Sequence, residues 1–89
     1  MSTQNIVLPG VALKVYPNPF IESTTFEIEG KSFRQVQLRL FDTFGRLVRT
    51  EKFDQSSFQF DRADLTTGIY FYEITGDDVL VGNGKIMVH

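Results

Sequence analysis

The chain has 89 residues and a net charge of −2, with no cysteine. This length predicts one small domain with a single core, and a hydrophobic fraction of 42% excludes a disordered chain. The acidic balance, without a Lys/Arg cluster, argues against nucleic acid binding, and the lack of cysteine excludes disulfides and thiolate sites.

Residues 1–10 have the composition of a linker, and the folded domain is predicted to cover residues 11–89. From residue 11 onwards, short β-rich segments alternate with turn residues at the spacing typical of a sandwich or barrel. The alternation is clearest where Thr24, Phe26 and Ile28 are separated by polar side chains, which predicts one buried and one solvated face. The predicted strands cover residues 12–16, 23–29, 35–42, 46–53, 57–61, 68–75 and 79–88.

Turn residues between these segments predict how the strands connect. Gly45 supplies the left-handed position that a short hairpin loop needs between the third and fourth strands. Residues 76–78 (Gly-Asp-Asp) predict the hairpin between the sixth and seventh strands, and residues 82–84 (Gly-Asn-Gly) predict a bulge or bend in the seventh. Residues 62–65 are compatible with one helical turn. Without helical periodicity elsewhere, the pattern predicts an all-β, seven-stranded antiparallel immunoglobulin-like sandwich.

The predicted core follows from the apolar positions of the alternating strands. It is completed by the near-continuous aromatic and aliphatic sixth strand, which is expected to be central in its sheet. The predicted core residues are Leu13, Val15, Phe26, Ile28, Val36, Leu38, Leu40, Val48, Phe58, Phe60, Leu65, Tyr70, Tyr72, Ile74 and Ile86.

The residues that could support catalysis or bind a metal are few. The one histidine is His89, the last residue, so no base is held beside a nucleophile. The carboxylate pairs Asp77–Asp78 and Asp61–Asp64 are better explained by a hairpin turn and by capping than by calcium binding. Residues 82–85 lack the spacing and the helix of a phosphate loop. The sequence therefore predicts no catalytic residue, no metal and no cofactor.

Four short motifs follow one another along the chain. We name them the opening motif (residues 16–20, Tyr-Pro-Asn-Pro-Phe), the central motif (residues 42–46, Asp-Thr-Phe-Gly-Arg), the corner motif (residues 65–70, Leu-Thr-Thr-Gly-Ile-Tyr) and the terminal motif (residues 85–88, Lys-Ile-Met-Val). The corner motif predicts a tyrosine corner, in which the Tyr70 hydroxyl bonds to the backbone. In the terminal motif, Ile86 and Val88 are expected to face the core, and Lys85 and Met87 the solvent.

In this order and spacing, the motifs resemble the type A C-terminal sorting domain of the type IX secretion system, over residues 13–88. The resemblance implies a non-catalytic domain at the end of a secreted protein of a Bacteroidetes bacterium. It implies that the N-terminally fused cargo passes through the periplasm, and that the domain then directs it through the type IX translocon to the cell surface or the medium. It also implies that a sortase-like peptidase cleaves within or near residues 1–11 and attaches the cargo to the cell surface.

The same resemblance assigns residues to roles. Recognition by the translocon falls on Lys85, Ile86, Met87 and Val88. The other family motif positions are Pro17, Asn18, Pro19, Asp42, Gly45, Arg46, Leu65, Gly68 and Tyr70. Edge strands could also pair with a partner sheet or form a weak homodimer.

A second reading of the sequence is an immunoglobulin-like accessory module that binds glycan or protein. Its contact residues would be the aromatic side chains outside the clearest core positions, with Phe44 the best placed for exposure because it lies in a turn. The four candidates are Phe20, Phe33, Phe41 and Phe44.

Overall fold

The computed structural model describes residues 7–89, which form seven strands in two antiparallel sheets. One sheet has the order β1-β2-β5 and the other β4-β3-β6-β7. The strands are β1 (Ala12–Tyr16), β2 (Ser23–Glu29), β3 (Val36–Phe41), β4 (Leu47–Phe53), β5 (Ser57–Asp61), β6 (Gly68–Gly76) and β7 (Val79–Val88). Each predicted strand is present, with every boundary within one residue. The all-β prediction is confirmed, and the arrangement is consistent with an immunoglobulin-like sandwich. Of the predicted linker, residues 1–6 lie outside the described residues.

The core lies between the two sheets and is built around Phe26 of β2, which is fully buried. The Phe26 ring stacks on Phe58 at 5.3 Å between centroids and meets Phe60 and Tyr72 edge-on at 6.1 and 5.2 Å. Since Tyr72 belongs to the opposite sheet, this cluster joins the two layers. The buried apolar residues are Phe20, Phe26, Ile28, Val36, Leu38, Leu40, Phe58, Phe60, Tyr70, Tyr72, Ile74, Val81, Ile86 and Val88.

Val48 was predicted in the core and is 39% exposed instead. The reason is a bulge: Leu40 pairs with Arg49 and Phe41 with Leu47, so that Val48 has no partner on β3. The bulge turns Arg49 inwards, where its guanidinium lies 4.4 Å from the centre of the Phe60 ring.

Three other core predictions need correction. Leu13, Val15 and Leu65 pack against the core but are only partly buried. Leu13 and Val15 lie on β1, an edge strand of the smaller sheet, where fewer neighbours cover each side chain.

The predicted interruption of β7 exists, but it lies slightly earlier than Gly82–Gly84. Thr75 pairs with Leu80 and Ile74 with Gly82, so that Val81 is the extra residue of the bulge. Val81 and Gly82 are therefore buried in succession, and regular pairing with β6 resumes from Gly82.

The two turns around β6 also differ in how well they were predicted. Asp77 and Asp78 both have positive φ, 49° and 68°, as a two-residue hairpin of the predicted kind requires. The possible helical turn at residues 62–65 is absent, because Ala63 has a φ of 52°. That segment is a tight turn closed by a hydrogen bond from the Leu65 amide to the Arg62 carbonyl.

Candidate recognition surface

The terminal motif lies on β7, the edge strand of the larger sheet, and pairs along its length with β6. Because side chains alternate between the two faces of a strand, its four residues divide into two pairs. Ile86 and Val88 are fully buried, whereas Lys85 is exposed and Met87 is 38% exposed. The predicted orientation of the motif is confirmed.

The opening motif covers the outer edge of this same stretch of β7. The Asn18 side chain donates from Nδ2 to the Lys85 carbonyl at 3.1 Å and accepts at Oδ1 from the Met87 amide at 3.0 Å. Beyond it, the Phe20 amide donates to the Met87 carbonyl and the His89 amide to the Phe20 carbonyl, at 3.0 and 2.8 Å. The Asn18 side chain and the Phe20 backbone thus form the hydrogen bonds that a neighbouring strand would otherwise form with this part of β7.

The opposite end of β7 is covered in a similar way. The Leu8 amide donates to the Val81 carbonyl at 2.7 Å, and Val7 forms an isolated bridge with Gly82. The edge of β7 that the sequence suggested for pairing is therefore occupied at both ends of the strand.

The opening motif is itself held in place by the core. The buried Thr24 hydroxyl donates to the Pro17 carbonyl at 2.7 Å. The Phe20 ring is 2% exposed and meets Phe60 edge-on, with 6.4 Å between centroids. The motif therefore connects β1 of one sheet to β7 of the other.

Arg62 binds the backbone of three separate segments, one of them directly after the terminal motif. Its guanidinium donates to the carbonyl oxygens of Ile21, Leu65 and His89 at 3.2, 3.0 and 2.7 Å. It also donates to the Thr67 hydroxyl at 3.1 Å. His89, the corner motif and the residue that follows the opening motif therefore share one cation.

The central motif forms a self-contained loop around Asp42. The carboxylate accepts from the amides of Phe44 and Arg46 at 2.9 and 3.0 Å and from Arg46 Nε at 2.8 Å. Burial of the Asp42 carboxyl opposes ionisation, but the Arg46 and Phe44 hydrogen bonds outweigh it, so the pKa of Asp42 lies below its ordinary value. Gly45, at φ 83°, closes the turn. The geometry of the loop therefore explains why the central motif contains Asp42, Gly45 and Arg46.

The corner motif is the predicted tyrosine corner. The Tyr70 hydroxyl donates to the Thr66 carbonyl at 2.7 Å and lies 3.1 Å from the Thr66 hydroxyl. Since the Tyr70 ring is 6% exposed, it anchors the loop in the core. Leu65 packs against the core beside it.

The opening, corner and terminal motifs meet at a shallow depression of about 250 Å³ beside β7. Ile69 and Met87 are direct cross-strand partners and are 37% and 38% exposed. We name this area the terminal surface, defined by Asn18, Pro19, Ile69, Lys85 and Met87. The terminal surface thus combines residues that lie 67 positions apart in the chain, Asn18 and Lys85.

The aromatic residues considered for glycan or protein binding are dispersed. Phe44 is 83% exposed, as expected for its turn, but Phe20 is buried. Phe33 packs against the core, and Phe41 is half-buried. Phe41 and Phe44 both line a groove of about 400 Å³. The Arg46 guanidinium lies 5.4 Å from the centre of the Phe44 ring.

Neither carboxylate pair considered for calcium forms an acidic cluster. Within residues 7–89 no group of three or more His, Cys, Asp or Glu side chains is placed to hold a metal ion. The Asp77 carboxylate instead accepts hydrogen bonds from the amides of Arg34 and Gln35. The same residues contain no helix of the length and apolarity needed to cross a membrane.

Replacing Asn18 by Ala is expected to loosen the covered edge without unfolding the domain. Two hydrogen bonds are lost at a solvent-exposed site, which costs about 1–3 kcal/mol of unfolding free energy at about 0.5–1.5 kcal/mol each. In native-state hydrogen exchange, the Ile74 amide of β6 should accelerate only by the factor that the lower unfolding free energy gives, whereas the Met87 amide, which also loses its acceptor, should accelerate more. Equal acceleration of both amides would contradict a local role for Asn18.

Sequence reasoning missed three residues of this region: Phe20, Thr24 and Arg62. Phe20 follows a Pro-rich turn and was considered as an exposed aromatic, although it fills the core. Thr24 does occupy a predicted inward position, which was a usable signal for a buried hydrogen bond. For Arg62, which bonds to residues 3 to 41 positions away, the sequence carries no periodic signal.

Comparisons with known proteins agree with the motif pattern. The family model described as "Secretion system C-terminal sorting domain" matches residues 14–89. The chain is also 33% identical over 76 residues to the ulvan lyase NLR42 of Nonlabens ulvanivorans. The aligned segment covers 84% of this chain. The match spans 14% of the length of that relative.

Proposed function

Because this chain belongs to the secretion system C-terminal sorting domain family, and so acts as a type IX secretion signal, we propose how the signal works. The signal implies export of an attached cargo protein to the cell surface or the medium. We propose that the translocon recognises the terminal motif, Lys85, Ile86, Met87 and Val88, while the domain itself has no catalytic activity.

The geometry of the terminal motif carries this proposal. Lys85 and Met87 face outwards on one surface, while the buried Ile86 and Val88 fix the strand to the core. The other motif positions act mainly on the fold: Asn18 binds the β7 backbone, Asp42 closes a loop, and Tyr70 anchors a corner. Recognition then depends on few side chains, whose positions depend on the whole domain.

The remaining steps follow the family pattern. The cargo, fused before residue 1, would pass through the periplasm and then cross the outer membrane under the direction of this domain. A sortase-like peptidase would cleave near residues 1–11, before the first strand, where cleavage leaves β1 to β7 intact. Its partners are therefore the translocon, the peptidase and the cargo.

A reporter fusion tests the proposal. Residues 1–89 are fused to the C-terminus of a fluorescent reporter with a periplasmic signal peptide, in a host with an active type IX system. We expect the reporter on the surface or in the medium, and retention in the periplasm when residues 1–89 are absent or the translocon is deleted. A second fusion changes the terminal motif by Lys85→Ser, Ile86→Val and Met87→Ser, which keeps apolar side chains at the two buried positions. If this domain is folded by circular dichroism and the reporter still leaves the cell, the terminal motif is not the signal.

A further inference from the structure

We propose that the partner contacts the terminal motif through the terminal surface and not through the edge of β7. The partner would place an apolar side chain in the depression between Pro19, Ile69 and Met87, and a carboxylate beside the Lys85 ammonium. This inference rests on the proposed function, since it describes how the terminal motif is recognised.

The covered edge is the first argument. Strand addition requires unpaired backbone donors and acceptors along the receiving edge. Along residues 85–89, four backbone groups already have hydrogen-bond partners. They are the Lys85 carbonyl, the Met87 amide, the Met87 carbonyl and the His89 amide. An added strand would first have to displace Asn18 and Phe20, and the Phe20 ring is buried beside Phe60.

The shape of the terminal surface is the second argument. Ile69 and Met87 expose 37% and 38% of their surface side by side, at a depression of about 250 Å³. Pro19 forms another wall of it, held by the opening motif. A concave site with apolar walls gains binding energy when it covers an apolar side chain of a partner.

Charge is the third argument. Among residues 7–89, no carboxylate lies within 4.0 Å of the Lys85 ammonium, whereas Lys14, Arg39, Arg46 and Arg49 each have one. Lys85 therefore offers an uncompensated cation at the margin of the apolar depression. A carboxylate from the partner complements it, and complementary charges favour correct docking.

Charge and polarity variants of the reporter fusion test this mode of recognition. Lys85→Glu and Met87→Ser are each expected to lower the amount of exported reporter about tenfold or more, because a like charge or a lost apolar contact weakens docking. Lys85→Arg should be exported as the original domain is. Both replaced side chains are exposed, so the melting temperatures should stay close to that of the original domain.

Matched controls lie on β4, the opposite edge of the same sheet. Lys52 is an exposed strand lysine, and Leu47 is 50% exposed. Lys52→Glu and Leu47→Ser repeat the chemical changes away from the terminal surface and should leave export unchanged. If they lower export as much as the β7 variants do, the effect is not local and the proposal fails.

The outcomes separate this inference from the proposed function. If Lys85→Glu and Met87→Ser are exported normally while removal of residues 1–89 blocks export, the signal function stands and recognition through the terminal surface is wrong. If Asn18→Ala, which loosens the edge, raises export of these two variants, recognition by strand addition is supported instead. If the reporter leaves the cell without residues 1–89, the proposed function itself fails.

Discussion

Phe26→Ala is expected to lower the free energy of unfolding by about 3–5 kcal/mol, the cost of emptying a large aromatic site in a core. Phe26 is fully buried and contacts Phe58, Phe60 and Tyr72 with centroid distances of 5.3, 6.1 and 5.2 Å. Removal of its ring therefore leaves a cavity that both sheets line. Urea denaturation followed by circular dichroism measures the loss.

The matched control for this substitution is Phe44→Ala. Phe44 is 83% exposed in the loop of the central motif, so its removal should change the unfolding free energy by no more than about 0.5 kcal/mol. A domain is typically stable by about 5–15 kcal/mol, so the Phe26 variant loses a large part of the total. Similar losses for the two variants would contradict the position of Phe26 at the centre of the core.

Alanine substitutions at two neighbouring residues of the terminal motif are expected to differ strongly in their effect on the unfolding free energy. Ile86→Ala should cost about 2–5 kcal/mol of unfolding free energy, because Ile86 is fully buried. Lys85→Ala should cost no more than about 0.5 kcal/mol, since Lys85 is exposed and has no ion-pair partner among residues 7–89. Denaturation curves of the two variants under identical conditions give this comparison.

Export of the same two variants then separates fold from recognition. Lys85→Ala should be folded but poorly exported, whereas the export of Ile86→Ala should improve at lower temperature as more of the domain folds. If export of both variants simply follows the folded fraction, Lys85 has no role in recognition beyond stability.

Strand positions and faces could be predicted because they depend on a local pattern. A period of two along β2, β3 and β5 is sufficient to define which side chains are buried. The same rule failed at Val48, where a bulge in β4 turned Arg49 towards the core and Val48 outwards. A bulge depends on the partner strand, and the sequence of β4 by itself contains no sign of it.

The candidate site was only partly predictable, because it is assembled from distant segments. The outward direction of Lys85 and Met87 followed from alternation. Contacts between Asn18 and residues 67 and 69 positions later could not be inferred in this way. The resemblance to a known family identified both motifs as important, but the structure shows that one motif binds the backbone of the other.

The covered edge of β7 has a consequence for the order in which the domain folds during synthesis. The partners of Asn18 and Phe20 lie in residues 85–89, which the ribosome adds 67 to 69 residues later. Until then the opening motif has no strand to bind, and the sandwich lacks the Ile86 and Val88 side chains of its core. A chain interrupted before residue 85 therefore cannot complete this fold. The sandwich is therefore completed only after translation has reached the terminal motif.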